Sequence, residues 1–293
     1  MTTHNHNLSH LLSKRLNQLN QYKIDLGLDR LKTVLLRLNL DDISQQVIIV
    51  GGTNGKGSTV SALCALLKTK AKQFGAFTSP HIFKFNERIN INGVLATDVQ
   101  VMTAFDAIDA VKKDINLSYF EYAFLAALII FVEQGVDVIV LEVGLGGRLD
   151  ATNAIDSDLA IITTVDIDHT EWLGDDIESI AKEKAGIMRT QCPVIYGDKN
   201  TPTAVIERAD FLGALLIQYG QDQQIVFDQQ QFSYSYQSQQ FESLLRPALQ
   251  GDYQLKNFSN ALTAVLELGY ALTHDEVQQS INNWQIKGRL QPI

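Results

Sequence analysis

The residues best able to do chemistry lie in one short segment, 51–59, where glycines surround a single lysine and hydroxyl side chains follow it. Glycines let successive backbone N–H groups curl around an anion, and the start of a helix adds partial positive charge. Lys56 could then reach the β- and γ-phosphates of a nucleotide, while Ser58 or Thr59 could offer a hydroxyl to Mg²⁺. The segment therefore predicts a phosphate loop that binds a nucleotide.

The match to the strict pattern G-x-x-x-x-G-K-[ST] is incomplete. Val50 stands where the first glycine should be, and Gly57 follows the lysine. An ordinary glycine-rich strand–helix turn is the alternative interpretation. The order of elements favours the nucleotide site, because a β-branched strand precedes the loop and apolar residues at helical spacing follow it.

Polar residues also follow two apolar runs farther along the chain, at 136–142 and 159–165. Runs that are apolar on both faces are typical of a parallel sheet covered by helices, and such sheets bind ligands at the carboxyl ends of their strands. Glu142 should therefore lie beside the phosphate loop, where its oxygens and that of Ser58 would suit Mg²⁺. His169, at the same edge, could serve a metal or make structural hydrogen bonds. Lys184 shares a predicted helix with Lys182, and local pattern alone favours a solvated charged face.

The alternation of strands and helices predicts an α/β fold with a mostly parallel sheet flanked by helices. Helices are predicted over 98–112, 119–134, 177–187 and 258–272, and strands over 75–78, 193–196 and 215–219. A glutamine-rich stretch, 221–243, carries aromatic residues at every second position and predicts a small peripheral β-hairpin. Thr273 and Glu276 have the spacing of a capping box for the last helix.

The composition of the chain argues against two classes of partner, nucleic acids and membranes. The chain of 293 residues has a formal charge of −9 and no basic run, which argues against nucleic-acid binding. The longest apolar run, 124–132, is too short to span a bilayer, and the first ten residues contain no apolar signal segment. We therefore expect a cytoplasmic protein with neither a membrane nor a nucleic acid as partner.

Six motifs give the chain a specific resemblance. They are GTNGKGS at 52–58, SPH at 79–81, FNERI at 85–89, LEVGLGGRLDATN at 141–153, DHT at 168–170 and KEKAGI at 182–187. Their types and order resemble the folylpolyglutamate synthase/dihydrofolate synthase family of the Mur ligase superfamily. The resemblance implies a Mur ligase central-type ATP-binding domain over 1–287. Residues 288–293 would begin a linker to a C-terminal Rossmann-like domain that the sequence does not include.

The resemblance also assigns residues to the site. For ATP it implies Thr53, Asn54, Gly55, Lys56, Gly57, Ser58, Thr59, Asn260 and Arg289. For Mg²⁺ it implies Ser58, Glu142 and His169, and for catalysis Lys56, His169 and Lys184. Lys184 matches a lysine that family members carbamylate. For the pterin substrate it implies Ser79, Phe120, Asp150 and Ala151.

The implied activity is ATP-dependent amide-bond formation through an acyl phosphate. L-Glutamate would be added to dihydropteroate, giving dihydrofolate, and to folates by γ-linkage, with the enzyme acting as a monomer. Without the C-terminal domain we expect impaired turnover. Two alternatives stay open: an ATP-binding module without turnover, and another Mur-type ligase. The pterin-side residues and the SPH motif argue against a cell-wall ligase.

Overall fold

An eight-stranded sheet runs through the molecule in a computed structural model that describes residues 2–19, 27–168 and 170–286. Its strands are β1 (Gln46–Gly51), β2 (Phe74–Phe77), β3 (Ile89–Ile91), β4 (Val94–Leu95), β5 (Val138–Glu142), β6 (Leu159–Ile162), β7 (Val194–Tyr196) and β8 (Leu216–Gln218). Their order is β4-β3-β2-β5-β1-β6-β7-β8. All pairings among β2, β5, β1, β6, β7 and β8 are parallel, whereas β3 and β4 are antiparallel additions at one edge. The predicted α/β fold is confirmed.

The two central strands show why the sheet forms. In β1 and β5 the residues from Val47 to Gly51 and from Val138 to Glu142 are buried, as expected for strands with helices on both faces. Val50 pairs with Glu142 in the parallel register. The carboxyl ends of β1 and β5 therefore lie side by side, which brings Glu142 to the phosphate loop.

Ten helices of the described chain surround the sheet. They are α1 (Thr2–Leu19), α2 (Asp29–Leu38), α3 (Lys56–Thr69), α4 (Asp98–Lys112), α5 (Tyr119–Glu133), α6 (Thr170–Leu173), α7 (Ile177–Ala185), α8 (Thr203–Leu212), α9 (Tyr253–Glu267) and α10 (His274–Asn283). The hydrophobic cluster on one face of the sheet includes residues of α1, α2, α4, α5, α7 and α8, and the cluster on the other face includes residues of α3, α9 and α10. Among the described helices, none has the length and apolar character needed to cross a bilayer.

A small antiparallel sheet lies beside α9. It consists of β9 (Gln223–Phe227), β10 (Gln231–Tyr236) and β11 (Gln239–Leu245). The alternating aromatic residues Phe232, Tyr234 and Tyr236 are buried in the same hydrophobic cluster as α9, which explains their period of two. The predicted hairpin is β10–β11, and β9 adds a third strand that the sequence analysis did not separate.

Several predicted boundaries needed correction. The α9 helix begins at Tyr253 and ends at Glu267, five residues before the prediction at each end. Strand β6 stops at Ile162 because the residues after it bond to the phosphate loop instead of continuing the ladder. The capping box of α10 is confirmed, since Glu276 N donates to Thr273 Oγ1 over 3.3 Å and Thr273 N donates to Glu276 Oε2 over 2.8 Å.

Candidate nucleotide and substrate site

The phosphate loop connects β1 directly to α3. Gly52 and Gly55 have φ angles of +133° and +91°, a region that side chains with a Cβ rarely adopt. A Cβ on Gly52 would overlap Thr163 Oγ1, and one on Gly55 would lie 2.5 Å from Asn257 Oδ1. Glycine is therefore required at both positions for conformation and for space.

Two threonines just beyond β6 hold this loop. Thr53 N donates to Thr164 O over 2.8 Å, and Asn54 N donates to Thr164 Oγ1 over 3.1 Å. The hydroxyl of Thr163 donates to Asn54 O over 2.6 Å. The sequence analysis missed these two residues, although their place at the carboxyl end of a strand was a usable signal.

A cavity of about 560 Å³ opens over the loop. It is lined by Thr53, Asn54, Gly55, Lys56, Gly57, Ser58, Ser79, Pro80, Glu142, Gly144, Asp168, Tyr253, Gln254 and Asn257. Lys56 lies across the loop, and its Nζ donates to Gly52 O over 2.8 Å and to Thr53 O over 3.2 Å. The structure thus brings the predicted phosphate-loop residues 53–58 together with Glu142 and Ser79. Thr59, the last of the predicted segment, is fully buried on α3.

Hard oxygen atoms meet where α3 begins. The Glu142 carboxylate is 5% exposed and accepts a hydrogen bond from Ser79 N over 3.0 Å. A Cβ on Gly57 would lie 3.5 Å from Glu142 Oε1, so this carboxylate faces the first turn of α3, which also carries the buried Ser58. Carboxylate and hydroxyl oxygens suit Mg²⁺, which keeps several ligands from water and phosphate.

Within the described residues, no group of three or more His, Cys, Asp and Glu side chains could hold a metal ion alone. A metal at Ser58 and Glu142 would therefore need ligands from a bound nucleotide, from water or from a further residue. His169, the third predicted metal ligand, and Arg289, a predicted ATP contact, both lie outside the described residues.

Lys184 is buried near the end of α7, where it is only 4% exposed. Burial, and then the positive charge of Lys56, lower the pKa of its ammonium group to about 8, with an opposing effect from Asp168. The local interpretation of a solvated face fits the exposed Lys182 but is wrong for Lys184. A lysine with this pKa is partly a neutral amine near neutral pH.

The residues from Gly144 to Ala151 form a second glycine-rich loop, here called the substrate loop. Asp150 Oδ2 accepts from Gly144 N over 3.0 Å and from Leu145 N over 2.9 Å. Its Oδ1 accepts from the N and Oγ1 of Thr152 over 3.0 and 2.7 Å. Asp150 therefore shapes the loop, and Ala151 follows it at the start of a short 3₁₀ helix, Ala151–Ala154.

Phe120 packs against the substrate loop. A Cβ on Gly144 would lie 2.7 Å from Phe120 Cζ, so only glycine permits this approach. On its other side the ring lies 5.5 Å from the ring of Phe77. Because Gly144 also lines the phosphate cavity, the predicted pterin residues Phe120 and Asp150 lie next to the predicted nucleotide residues.

Comparison with known families now identifies the class of protein. Residues 50–265 match the Mur ligase middle domain. This chain belongs to the Mur ligase family. The resemblance inferred from the six motifs is thereby confirmed.

Relatives of this Mur ligase chain include several dihydrofolate synthase/folylpolyglutamate synthases. The Haemophilus influenzae protein of that name is 40% identical over 270 residues, which are 92% of this chain and 61% of that protein. Escherichia coli FolC, solved in complex with DHPP and ADP, matches with a TM-score of 0.91 and 36% identity over 98% of this chain and 68% of that one. A bifunctional folylpolyglutamate synthase/dihydrofolate synthase with Mn, AMPPNP and L-glutamate bound matches with a TM-score of 0.89 and 35% identity, over 96% of this chain and 68% of that one.

The chain spans about three fifths of the length of its Haemophilus influenzae relative. The match shows the family of this chain. The activity of the longer relatives is a proposal for this chain.

Two asparagines of α9 in this Mur ligase domain have different surroundings. Asn260, the predicted ATP contact, is fully buried, and its Oδ1 accepts from Gln223 Nε2 over 2.8 Å. It is not among the described residues that line the cavity. Asn257, almost one turn earlier, lines the cavity together with Tyr253 and Gln254. The side chain of Asn257 also lies against Gly55. The early start of α9 explains why the sequence analysis missed these three residues.

Proposed function

We propose that this protein is an ATP-dependent ligase that joins L-glutamate to dihydropteroate, and to folates by γ-linkage, through an acyl phosphate. The observation that carries the proposal is a cavity over the phosphate loop, where Lys56, Ser58 and Glu142 meet the edge of the substrate loop. The nature of the relatives supports it, because one was solved with DHPP and ADP and another with Mn, AMPPNP and L-glutamate.

For the nucleotide, residues 53–59 would surround the phosphates. Lys56 would exchange its bonds to the Gly52 and Thr53 carbonyls for phosphate oxygens, which are stronger charge-assisted partners. Asn257 is the further contact that the cavity favours. Asn260 and Arg289 stay predictions from the sequence.

For the metal, Ser58 and Glu142 would hold Mg²⁺ beside the phosphates, with His169 as the predicted third ligand. The ion supplies neutralisation of the phosphate charge. Lys184 would react as a neutral amine with CO₂, forming a carbamate and releasing one proton. Its lowered pKa supports this step, and the carbamate would turn a cation into an anionic partner for the metal.

The chemistry needs two displacements. A carboxylate oxygen of the pterin substrate attacks the γ-phosphorus and ADP leaves, and the glutamate amine then attacks the acyl carbon and phosphate leaves. The protein has to align these groups and neutralise charge rather than supply a nucleophile. Ser79, Phe120, Asp150 and Ala151 would hold the pterin substrate so that its carboxylate points toward Lys56.

Isotope transfer tests the proposal directly. The purified protein is given ATP, Mg²⁺, L-glutamate and dihydropteroate labelled with ¹⁸O in its carboxylate, beside a Lys56→Ala control. We expect a glutamate conjugate, formed slowly in line with the impaired turnover expected from the sequence, and one ¹⁸O atom in the phosphate released with each conjugate. The control should give neither product. ATP binding without glutamate transfer would refute the ligase proposal and favour a nucleotide-binding module. Transfer without ¹⁸O in phosphate would refute the acyl phosphate.

We also propose that the protein acts as a cytoplasmic monomer on small molecules. The support is its acidic composition, with a formal charge of −9. Sedimentation velocity with and without ATP analogue would contradict the monomer if the mass doubled.

A further inference from the structure

Asn153 bridges two parts of the chain that carry proposed site residues. It is 8% exposed, and its Nδ2 donates to Arg148 O over 3.0 Å and to Gly186 O over 3.1 Å. Its Oδ1 accepts from Arg189 NH1 over 2.9 Å. The two bonds donated by Nδ2 join the substrate loop to the residue that follows α7, and the Oδ1 atom is held by Arg189.

Each end of this bridge is two residues from a proposed site residue. Arg148 precedes Asp150 by two residues, and Gly186 follows Lys184 by two. The contact is close, because a Cβ on Gly147 would lie 2.7 Å from Glu183 O and 3.1 Å from Lys184 Cα. Arg148 N also donates to Glu183 O over 2.8 Å. The substrate loop therefore packs directly on the backbone of Lys184.

Arg189 fixes which way the Asn153 amide points. Its NH2 group donates to Ile155 O over 2.8 Å and its Nε to Asp156 Oδ1 over 2.5 Å, so the guanidinium is anchored independently of the amide. Because Arg189 NH1 is a hydrogen-bond donor, the Asn153 amide must point Oδ1 toward it and Nδ2 toward the carbonyls of Arg148 and Gly186. A flipped amide would set an oxygen against both carbonyl oxygens, and such buried unpaired groups are costly.

We propose that Asn153 is a positioning residue that fixes the substrate loop against the end of α7 and so sets the placement of Lys184 relative to the pterin substrate. The inference rests on the proposed function for the identity of the substrate. It assigns Asn153 no contact with that substrate. Its effect should therefore fall on Lys184 and on pterin binding while the phosphate loop, which is held by Thr163 and Thr164, keeps its nucleotide affinity.

The test uses Asn153→Asp, which keeps the shape of the side chain but replaces both donated hydrogen bonds by repulsion. Arg189→Lys is the milder second variant, because it keeps the charge and loses the fixed geometry of the guanidinium. Asn283→Asp is the matched control, since this asparagine is exposed at the end of α10 and lies outside the contacts of Asn153 and Arg189.

Three quantities are measured on each variant: calorimetric affinity for dihydropteroate, affinity for an ATP analogue, and the pH profile of Lys184 acetylation by mass spectrometry. We expect roughly tenfold weaker dihydropteroate binding and ATP-analogue affinity within about twofold of wild type. The midpoint of Lys184 labelling, which reports the pKa that burial lowers, should rise by roughly half a pH unit as its surroundings loosen.

Unchanged labelling midpoint and unchanged pterin affinity in both variants would overturn the proposal. So would an equal loss of both affinities in step with a fall in melting temperature, which indicates general loosening. If the wild type itself does not bind dihydropteroate, the proposed function fails instead. The labelling profile of Lys184 then decides the role of Asn153 alone.

Discussion

The phosphate loop and the substrate loop are both rich in glycine and line one cavity, yet they use their backbone N–H groups differently. In the substrate loop, Asp150 accepts from the N–H groups of Gly144, Leu145 and Thr152. In the phosphate loop, hydrogen bonds donated by Thr53 N and Asn54 N to Thr164 hold the entry, and the first turn of α3 follows. The first N–H groups of a helix have no partners within it, so they can bind an anion.

This difference separates two meanings of a glycine-rich segment. In one loop the glycines expose backbone donors to a ligand, whereas in the other they let side chains and a neighbouring helix approach closely. The Asp150 carboxylate therefore uses N–H groups of Gly144 and Leu145 that an anion could otherwise bind. Lys184 lies where the two loops meet, since its pKa depends on Lys56 and its backbone contacts Gly147.

The strongest way to break the phosphate loop is Gly52→Ala. The new Cβ would overlap Thr163 Oγ1 at a backbone angle of +133°. We expect a loss of roughly 4 kcal/mol in the free energy of unfolding, from strain and overpacking together. Urea denaturation measures it. Gly93→Ala is the control, because its φ is +89° and nothing lies within 4 Å of the new Cβ. Equal losses in the two variants would show that Thr163 does not confine the loop.

Lys56→Ala, also in the phosphate loop, should weaken nucleotide binding without lowering the stability of the fold. Removing the charged partner of the phosphates should weaken ATP-analogue binding roughly a hundredfold. The free energy of unfolding should change little, since Lys56 lies on the loop and its ammonium group donates to the loop carbonyls of Gly52 and Thr53. Calorimetry with Lys182→Ala, an exposed lysine, provides the comparison. Wild-type affinity in Lys56→Ala would remove the nucleotide site.

Lys184→Met should stabilise the protein in a pH-dependent way. Below pH 8 the folded state holds a buried charge, and its pKa, lowered from 10.5 to about 8, corresponds to a cost of roughly 3 kcal/mol. Allowing about 1 kcal/mol for imperfect packing of methionine, we expect a gain of about 2 kcal/mol at pH 7.

The sign follows from proton binding. Between pH 8 and 10.5 the unfolded chain binds a proton that the folded chain does not, so wild-type stability rises with pH there. The advantage of Lys184→Met should therefore shrink across this interval. Denaturation in CO₂-free buffer, beside Lys182→Met, tests it. A gain that is constant from pH 7 to 10 would contradict the buried charge.

Gly144→Ala should weaken pterin binding and leave nucleotide binding almost unchanged, and its effect should be the smallest of those predicted here. The new Cβ would lie 2.7 Å from Phe120 Cζ, and the ring must shift. We expect roughly tenfold weaker dihydropteroate binding with ATP-analogue affinity changed by about twofold or less. Gly135→Ala, which has open space around its Cβ, is the control. If the affinity for the ATP analogue falls more than the affinity for dihydropteroate, the assignment of the pterin to the substrate loop is wrong.

Local sequence determined the parts of the site that are built from neighbouring residues. The order of β1, phosphate loop and α3 was predictable, because strand, glycines, lysine and helix follow each other within one short segment. The 98–112 helix and the capping box at Thr273 were also correct, since capping and apolar spacing act within a few residues. The position of Glu142 followed from a general rule about parallel strands.

The tertiary structure decided what depends on distant contacts. Lys184 and Lys182 are two residues apart on one helix, and the packing of α7 in the fold buries the first and leaves the second exposed. Asn257 and Asn260 are equally plausible by type, but the start and rotation of α9 place only the former at the cavity. Thr163 and Thr164 hold a loop about 110 residues away in sequence. Burial and hydrogen-bond partners of this kind arise when separate segments meet. A local pattern can place a residue at the edge of the sheet, but it does not specify what that residue contacts.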